Sequence, residues 1–350
     1  LRKKKINFYT GVPDSTLKNF INLIDKKKNL KHYPVYNEGS AVGLGIGYHL
    51  ATKELACVYL QNSGLTNAIN PLLSICHKKV YSIPCLLMIG WRGSPNRKKD
   101  EPQHNVTGQI TKKLLKISGI KFLILRKKKD LIKLDKLINF AKRNNQAIAC
   151  LVENGTITKQ KLQKINLKIT SDISRAMVIT ELLLNINSNT SIVSTTGYTS
   201  RELHQLRKNL GLNKGKDFYM VGGMGHAGIV SLGFSINKKK QVLCLDGDGS
   251  LLMHLGTLRA QGKFGKSNFK HILLNNGSHE SVGLQRTFVE KTDFPLLAKT
   301  LGYKHFDKII YKKNLTKKLK KFLKLSGPSF LEIKIKPGKI NNLKRPNNFI

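Results

Sequence analysis

Short apolar runs alternate with longer amphipathic or glycine-rich stretches along most of the chain. In the first half, this pattern predicts strands at 31–36, 55–60 and 83–89 and helices at 39–52 and 65–76. In the second half, it predicts strands at 191–194, 218–221, 241–245, 269–274 and 330–335 and helices at 200–209 and 251–262. Such alternation is typical of parallel sheets flanked by helices. The predicted fold class is therefore α/β, with one parallel sheet in each half.

A polar, lysine-rich stretch separates the two halves. Its composition is that of a connector rather than of a helix or strand. The 350 residues are enough for two domains of ordinary size. We therefore predict a first domain at 1–155, a linker at 156–171 and a second domain at 172–350.

The formal net charge of +42 has two interpretations. Clustered Lys and Arg residues attract phosphate, so the first interpretation is that the chain binds nucleic acid. The other is codon bias, since Lys, Asn and Ile are all abundant. The basic residues form short scattered runs without repeated aromatic neighbours, such as 3–5, 26–28, 127–129 and 238–240. We therefore expect no nucleic-acid partner, although a positive surface would attract an anionic substrate.

The five cysteines stand singly, mostly in apolar segments, with no C-x-x-C pair. Buried thiols in a reducing cytoplasm are expected. No apolar run is long enough to span a bilayer, and the basic start is not followed by the apolar stretch of a signal peptide. We therefore expect a cytoplasmic protein without a membrane partner. Because the sequence starts at Leu1 rather than Met, we expect a few residues to be missing there.

Two polar motifs follow predicted strands of the second half. They are Leu245-Asp-Gly-Asp-Gly-Ser250 and Leu273-Leu-Asn-Asn-Gly-Ser278. Both motifs therefore lie at the carboxyl ends of strands, which is the edge of an open α/β sheet where ligands bind. The Asp248 carboxylate and the Asn276 amide oxygen are hard ligands, which Mg²⁺ combines with phosphate oxygens. Each motif alone is equally well interpreted as an ordinary turn.

Together, the two motifs are similar to the signature of thiamine-diphosphate enzymes, in which Gly-Asp-Gly is followed by Asn-Asn one helix and one strand later. This resemblance implies thiamine diphosphate and Mg²⁺ as cofactors. The implied metal ligands are Asp248, Asn276 and Ser278. The implied cofactor-binding residues of the first motif are Gly247, Asp248, Gly249 and Ser250.

Enzymes of this kind also need a carboxylate on the other half, to exchange a proton with the pyrimidine ring of the cofactor in a shielded place. Glu38 is the candidate, because it follows a predicted strand and opens a predicted helix. The alternative is purely structural. Asn37 is a candidate N-cap of this helix under either interpretation, and in the structural one Glu38 would only complement the helix dipole.

Further motifs make nearly the whole chain similar to the phosphonopyruvate decarboxylases. These segments are Gly11-Val-Pro-Asp-Ser15, 37–43, 61–64, Ile89-Gly-Trp-Arg-Gly93, Asp100-Glu-Pro-Gln-His104, 194–202, 223–227 and 275–283. The Trp-Arg-Gly and Glu-Pro-Gln-His segments point to this group within the thiamine-diphosphate-dependent 2-oxo acid decarboxylases. The chain departs from the family at Leu284 and Arg286, where Gly and Pro are expected, so the shape of that loop is left open.

The resemblance implies further roles near the cofactor. Met224 would hold the cofactor in a bent shape, and the Gly222 carbonyl would bind its amino group. The diphosphate end would be lined by Thr195, Thr196 and Gly197. The alternatives are ordinary core packing for Met224 and a helix-capping turn for the Thr-Thr-Gly segment.

The reaction implied is decarboxylation of 3-phosphonopyruvate to phosphonoacetaldehyde and CO₂, in phosphonate biosynthesis. An anionic substrate needs a cationic pocket, for which Arg92 and His104 are candidates, His104 also as a catalytic residue. A solvated loop charge and a satisfied loop histidine are the alternatives. Asp14, Ser15, Asn62 and Ser63 complete the substrate set, and His226 and His279 are candidate proton donors.

The resemblance also bears on partners and on competing functions. In this superfamily the two halves of a site come from different subunits, so Glu38 and Asp248 imply a homodimer or a larger homo-oligomer. Sulfopyruvate decarboxylase is the alternative activity, because its substrate differs only in having a sulfonate. A carboligase is less favoured, because the chain has neither a middle domain nor the length for one.

Overall fold

The computed structural model describes residues 1–95, 100–158, 171–212 and 215–344. The chain divides into two compact units, Leu1–Lys164 and Ile165–Ile350, called here the N-terminal and C-terminal units. The linker predicted at 156–171 falls at this division, but 159–170 lie outside the described residues. The exact domain limits therefore stay a prediction. Within the described residues, no helix has the length and apolar character needed to cross a membrane.

The N-terminal unit is built around one parallel sheet of six strands in the order β2-β1-β3-β4-β6-β5. The strands are β1 Phe8–Gly11, β2 Lys31–Pro34, β3 Ala56–Gln61, β4 Cys85–Trp91, β5 Lys121–Leu125 and β6 Ile148–Glu153. The helices are α1 Lys18–Asp25, α2 Glu38–Thr52, α3 Leu65–Pro71, α4 Pro102–Ile117 and α5 Asp130–Asn144. Central strands such as β4 are buried along their whole length, because helices cover both faces of the sheet.

The C-terminal unit has a second parallel sheet of six strands, in the order β13-β14-β10-β9-β7-β8, and a two-stranded hairpin. The sheet strands are β7 Ser191–Ser194, β8 Phe218–Tyr219, β9 Val242–Gly247, β10 Phe269–Asn275, β13 His305–Ile309 and β14 Ser329–Lys334, and the hairpin strands are β11 Ser278–His279 and β12 Gln285–Arg286. The helices are α6 Arg175–Asn185, α7 Tyr198–Asn209, α8 Ala227–Asn237, α9 Asp248–Met253, α10 Thr257–Phe264, α11 Phe294–Thr300 and α12 Leu315–Lys324. The predicted α/β class, with one parallel sheet in each half, is confirmed.

Several predicted elements differ from those observed. The helix predicted at 65–76 changes at Pro71 into a π-helical turn, because proline has no amide hydrogen to continue the ladder. The helix predicted at 251–262 is two helices, interrupted at His254 by non-helical backbone angles. The strand predicted at 218–221 ends at Tyr219, because its partner strand β7 ends at the opposing residue, Ser194.

Another difference concerns Trp91, which lies beyond the end of the strand predicted at 83–89. Trp91 ends strand β4, and its indole nitrogen donates to the Gly108 carbonyl oxygen at 2.9 Å. The side chain is fully buried among apolar neighbours. It therefore belongs to the core, and the turn begins one residue later, at Arg92. The predicted burial of the five cysteines is confirmed.

Candidate functional site

Four loops of the C-terminal unit meet at the carboxyl edge of its sheet. They follow β7, β8, β9 and β10 and carry most of the residues predicted to bind the cofactor. The Ser250 hydroxyl joins three of them, because it accepts from the Thr195 hydroxyl at 2.9 Å and from the Gly225 amide at 3.1 Å. The sheet thus brings together segments far apart in sequence.

Asp248 is a buried carboxylate at the start of α9. It accepts hydrogen bonds from the Thr287 hydroxyl and from the backbone amide of Asn276. Among the described residues no Lys or Arg forms an ion pair with it, and Lys334 acts only from a longer distance. Burial raises the pKa of Asp248 to about 6. A buried carboxylate without a cationic partner is suited to binding a metal ion.

Asn276 and Ser278 lie next to Asp248 at the end of β10. Both are buried, and the Asn276 side-chain oxygen accepts from the Ser278 amide at 3.0 Å and from its hydroxyl at 3.3 Å. The other end of the Asn276 amide donates to Glu280 at 2.8 Å. The structure therefore brings the three predicted metal ligands into one cluster of oxygen atoms.

Two glycines in these loops are required by close contacts. A Cβ atom at Gly249 would lie 2.6 Å from the ring of His279. Gly225 has φ +90, and a Cβ atom there would lie 2.5 Å from the ring of His254. Glycine at these positions lets the backbone pass close to the rest of the site.

The remaining predicted cofactor residues lie around this cluster. Thr195 is buried, whereas Thr196, Gly197, Gly222, Met224 and Gly247 are partly exposed. Met224 lies outside the described apolar clusters of the C-terminal unit, so core packing does not account for it. Gly197 has φ +95 and immediately precedes α7. This position also agrees with the alternative that Thr-Thr-Gly is a helix-capping turn.

The two candidate proton donors differ in their surroundings. His279 is buried beside Gly249, and burial lowers its pKa to about 4. It is therefore neutral near pH 7. His226 is exposed, and its ring centroid lies 4.5 Å from that of His254.

The hairpin β11–β12 contains the segment that departs from the family. Leu284 has φ +64, a backbone conformation that favours glycine, in agreement with the glycine expected there. The hairpin still closes, and the Thr287 amide donates to the Gly277 carbonyl oxygen at 3.0 Å. Thr287 could not be predicted as a neighbour of Asp248 from its position in the sequence, because only the hairpin brings these two residues together.

Glu38 lies at the corresponding edge of the N-terminal sheet, at the start of α2. Asn37 caps this helix, accepting from the Gly39 amide at 2.8 Å, as predicted. The Glu38 carboxylate is buried and accepts from the Asn67 side chain at 2.8 Å. A Cβ atom at Gly64 would lie 2.0 Å from this carboxylate. Burial raises the pKa of Glu38, so its proton is held more tightly than in solution.

Arg92 follows β4 and is held by a carboxylate. Its guanidinium donates two hydrogen bonds of 2.7 Å to Asp100 and a third, of 3.2 Å, to the Ser15 hydroxyl. The guanidinium predicted to help bind an anionic substrate is therefore paired with Asp100, and the alternative of a solvated loop charge is wrong. His104, Asp100 and Glu101 have potential ligand atoms within 4.8 Å of one another.

Asn62 and Ser63 follow β3. The Asn62 side chain accepts from the Arg92 amide and donates to the Arg92 carbonyl oxygen, both at 3.0 Å, and donates to Thr111 at 3.0 Å. Asn62 thus holds the Arg92 turn in place. Ser63 is exposed, and its carbonyl oxygen accepts from Thr66.

Asp14 lies in the loop after β1 and is fully buried. It accepts from the Leu17 amide at 2.9 Å and packs against Gly90, where a Cβ atom would lie 2.2 Å from its carboxylate. Burial raises its pKa from 3.8 to about 6. The ionised form is therefore destabilised in the folded protein, as is common for a side chain retained for function.

We expect Asp14→Asn to stabilise the fold at neutral pH. Because the folded pKa lies above the unfolded one, ionisation of Asp14 costs about 3 kcal/mol at pH 7. This cost declines as pH falls through about 6 and disappears below about 4. Urea denaturation at pH 7 and pH 4 measures the change in the free energy of unfolding.

Asp130→Asn is the matched control within the same unit. The amides of Arg126 and Lys127 donate to Asp130 and lower its pKa, so its replacement should destabilise the fold at pH 7. If Asp14→Asn also destabilises at pH 7, the Asp14 carboxylate is structural.

Comparisons with known proteins bear on both units. The N-terminal TPP-binding domain of thiamine pyrophosphate enzymes matches residues 1–113, and the C-terminal TPP-binding domain matches 195–333. Phosphonopyruvate decarboxylases of Streptomyces viridochromogenes and Streptomyces hygroscopicus are 32% and 33% identical to the chain, over 96% of it and 86% of their own length. A sulfopyruvate decarboxylase of Methanosarcina acetivorans is 25% identical, over 97% of the chain and 90% of its own length.

Proposed function

The chain belongs to the phosphonopyruvate decarboxylase family of thiamine-diphosphate enzymes, and from this premise we propose that it converts 3-phosphonopyruvate to phosphonoacetaldehyde and CO₂. Within the molecule, the observation that carries the proposal is the buried Asp248–Asn276–Ser278 cluster at the carboxyl edge of the C-terminal sheet. Its oxygen atoms fit Mg²⁺, which would be shared with the diphosphate group.

The metal would be held by the Asp248 carboxylate, the Asn276 side-chain oxygen and a main-chain oxygen of Ser278. The diphosphate would be lined by Thr195–Gly197 and by Gly247–Ser250. Ser250 supports this assignment because it already hydrogen-bonds Thr195. Met224 and Gly222 would contact the central part of the cofactor, since Met224 is not taken up by the described core clusters.

Thiamine diphosphate, when bound, supplies an electron sink for the electron pair released as CO₂ leaves. The chain supplies the proton chemistry. Glu38 would hold a proton and pass it to the pyrimidine nitrogen, and its raised pKa favours the protonated form. Its hydrogen bond with Asn67 orients the carboxylate, and Gly64 leaves the space for it.

The substrate would bind near Arg92, Ser15, Asp14 and His104. The Nε and Nη2 atoms of Arg92 already donate to Asp100. The phosphonate would therefore bind at Nη1, next to the Ser15 hydroxyl. We assign Asn62 to positioning Arg92 rather than to contacting substrate, because both ends of its amide bind other groups.

A second copy of the chain would complete the site. Glu38 and Asp248 lie in different units, which in this superfamily pair between subunits. Helix α2 presents exposed apolar side chains, Leu44 at 37% and Leu50 at 55%, beside the open positions Gly43 and Gly47. Such a face is suited to contact with another chain.

The test is turnover by the purified protein after chelator treatment. CO₂ release from 3-phosphonopyruvate should require both thiamine diphosphate and Mg²⁺, and neither alone should restore it. Sulfopyruvate and pyruvate serve as comparison substrates. A higher kcat/KM for sulfopyruvate than for 3-phosphonopyruvate would mean that the chain is a sulfopyruvate decarboxylase. Full activity of the chelator-treated protein without added cofactors would contradict the proposed cofactors.

A further inference from the structure

Glu280 lies beside the proposed metal ligands and was given no role by the sequence motifs. It follows the hairpin strand β11, and its carboxylate accepts from the side-chain nitrogen of Asn276 at 2.8 Å. Its side chain is 9% exposed. The contact is therefore made largely away from solvent, where a hydrogen bond to a charged group is strong.

This contact determines which end of the Asn276 amide faces the cluster. A carboxylate can only accept hydrogen bonds, so it binds the nitrogen end of an amide and leaves the oxygen end for other partners. The oxygen of Asn276 accordingly faces Ser278. Only this oxygen can bind Mg²⁺, since the amide nitrogen has no available lone pair.

Glu280 is held in turn by a buried charge network. Arg175 of α6 forms an ion pair with Glu280 and another, of 3.3 Å, with Glu202 of α7, and its side chain is 5% exposed. Arg175 also donates to the Gly338 carbonyl oxygen at 3.1 Å, and the Gly338 amide donates to Glu280. The segment after β14 is thus attached to the same network.

We infer that Glu280 is a positioning residue for the metal ligand Asn276, held in place by Arg175 and by the segment around Gly338. This inference rests on the proposed binding of Mg²⁺ and thiamine diphosphate. It adds a residue that acts on the metal through Asn276 rather than by contact with cofactor or substrate. Supporting residues of this kind typically change metal affinity when they are replaced.

The test is calorimetric titration of Mg²⁺ into protein that holds excess thiamine diphosphate, without any 2-oxo acid. Glu280→Ala should raise the Kd for Mg²⁺ by about 10-fold or more, because the amide of Asn276 is no longer held in one orientation. Glu280→Gln keeps an oxygen that can accept from Asn276, so its Kd should return close to the wild-type value. Activity of Glu280→Ala should recover at high Mg²⁺ concentration.

Asp217→Asn is the control for loss of a buried ion pair. Asp217 binds Arg207 within the same unit, so this variant should lose thermal stability but keep the wild-type Kd for Mg²⁺. An unchanged Kd in Glu280→Ala, or an equal rise in Asp217→Asn, would overturn the inference. Failure of the wild type to decarboxylate phosphonopyruvate would count against the proposed substrate only, since this titration contains none.

Discussion

Replacement of Asp248 by alanine is expected to weaken Mg²⁺-dependent binding of thiamine diphosphate by more than about 100-fold, because supporting residues alone change metal affinity by up to that factor. Asp248 is the only carboxylate among the three proposed ligands, and it is buried without an ion-pair partner among the described residues. Its removal takes away the negative charge that would attract the metal. Calorimetric titration with Mg²⁺ and thiamine diphosphate measures the loss.

Asp248→Asn separates charge from shape in this experiment. The amide keeps an oxygen that can accept from Thr287 and from the Asn276 backbone. It should preserve the fold, measured by circular dichroism, yet still bind Mg²⁺ much more weakly than the wild type. Wild-type cofactor affinity in both variants would show that Asp248 is not a metal ligand.

Glu38→Gln is expected to lower kcat by about 100-fold or more, while cofactor affinity changes little. Glutamine has the size of glutamate and can still pair with Asn67, but it cannot exchange a proton with the cofactor. Steady-state kinetics measures kcat. Proton exchange at the reactive carbon of bound thiamine diphosphate, followed by NMR, measures the step directly.

The alternative for Glu38 is that it only complements the start of α2. In that case Glu38→Gln would change stability by a few tenths of a kcal/mol and leave kcat unchanged. Asn67→Ala provides a related variant, because it removes the bond that orients Glu38 while leaving its carboxylate in place. Its kcat should fall between those of the wild type and Glu38→Gln.

Mixing the Glu38→Gln and Asp248→Ala proteins tests whether a site is shared between chains. If each site takes Glu38 from one chain and Asp248 from another, a mixed dimer of Glu38→Gln and Asp248→Ala has one intact site and one doubly altered site. Unfolding and refolding the equimolar mixture should restore about one quarter of wild-type activity. No recovery, with mixed dimers present by mass, would place both residues of each site in one chain.

The periodic pattern of the chain was enough to predict most central elements. The strand predicted at 191–194 is Ser191–Ser194, and the helix predicted at 39–52 is Glu38–Thr52. Among the sheet strands, the prediction named none for β1, β5, β6 or β13. A short apolar run is compatible with either a buried strand or one turn of a helix, so its neighbours in space decide.

In the candidate site, too, some residues are predicted by local motifs and others are identified only by their neighbours in space. Asp248 and Asn276 could be named from their motifs, since each turn follows a strand of the same sheet. Thr287 and Glu280, which bind Asp248 and Asn276, carried no usable signal, and neither did Asn67, which binds Glu38. A hydrogen bond across a hairpin or between helices has no characteristic spacing. Arg92 could be named from the Trp-Arg-Gly segment, but its pairing with Asp100 could not be foreseen.

The sequence by itself determined the α/β class, the cofactor motifs and the family, because these depend on local periodicity and on residue types at short spacings. Only the tertiary structure decided how the side chains are used. It commits Asn62 to the Arg92 turn, buries Asp14 and Glu38 so that their pKa values rise, and orients Asn276 through Glu280. Burial and hydrogen-bond partners depend on residues distant in sequence, and packing alone brings them together.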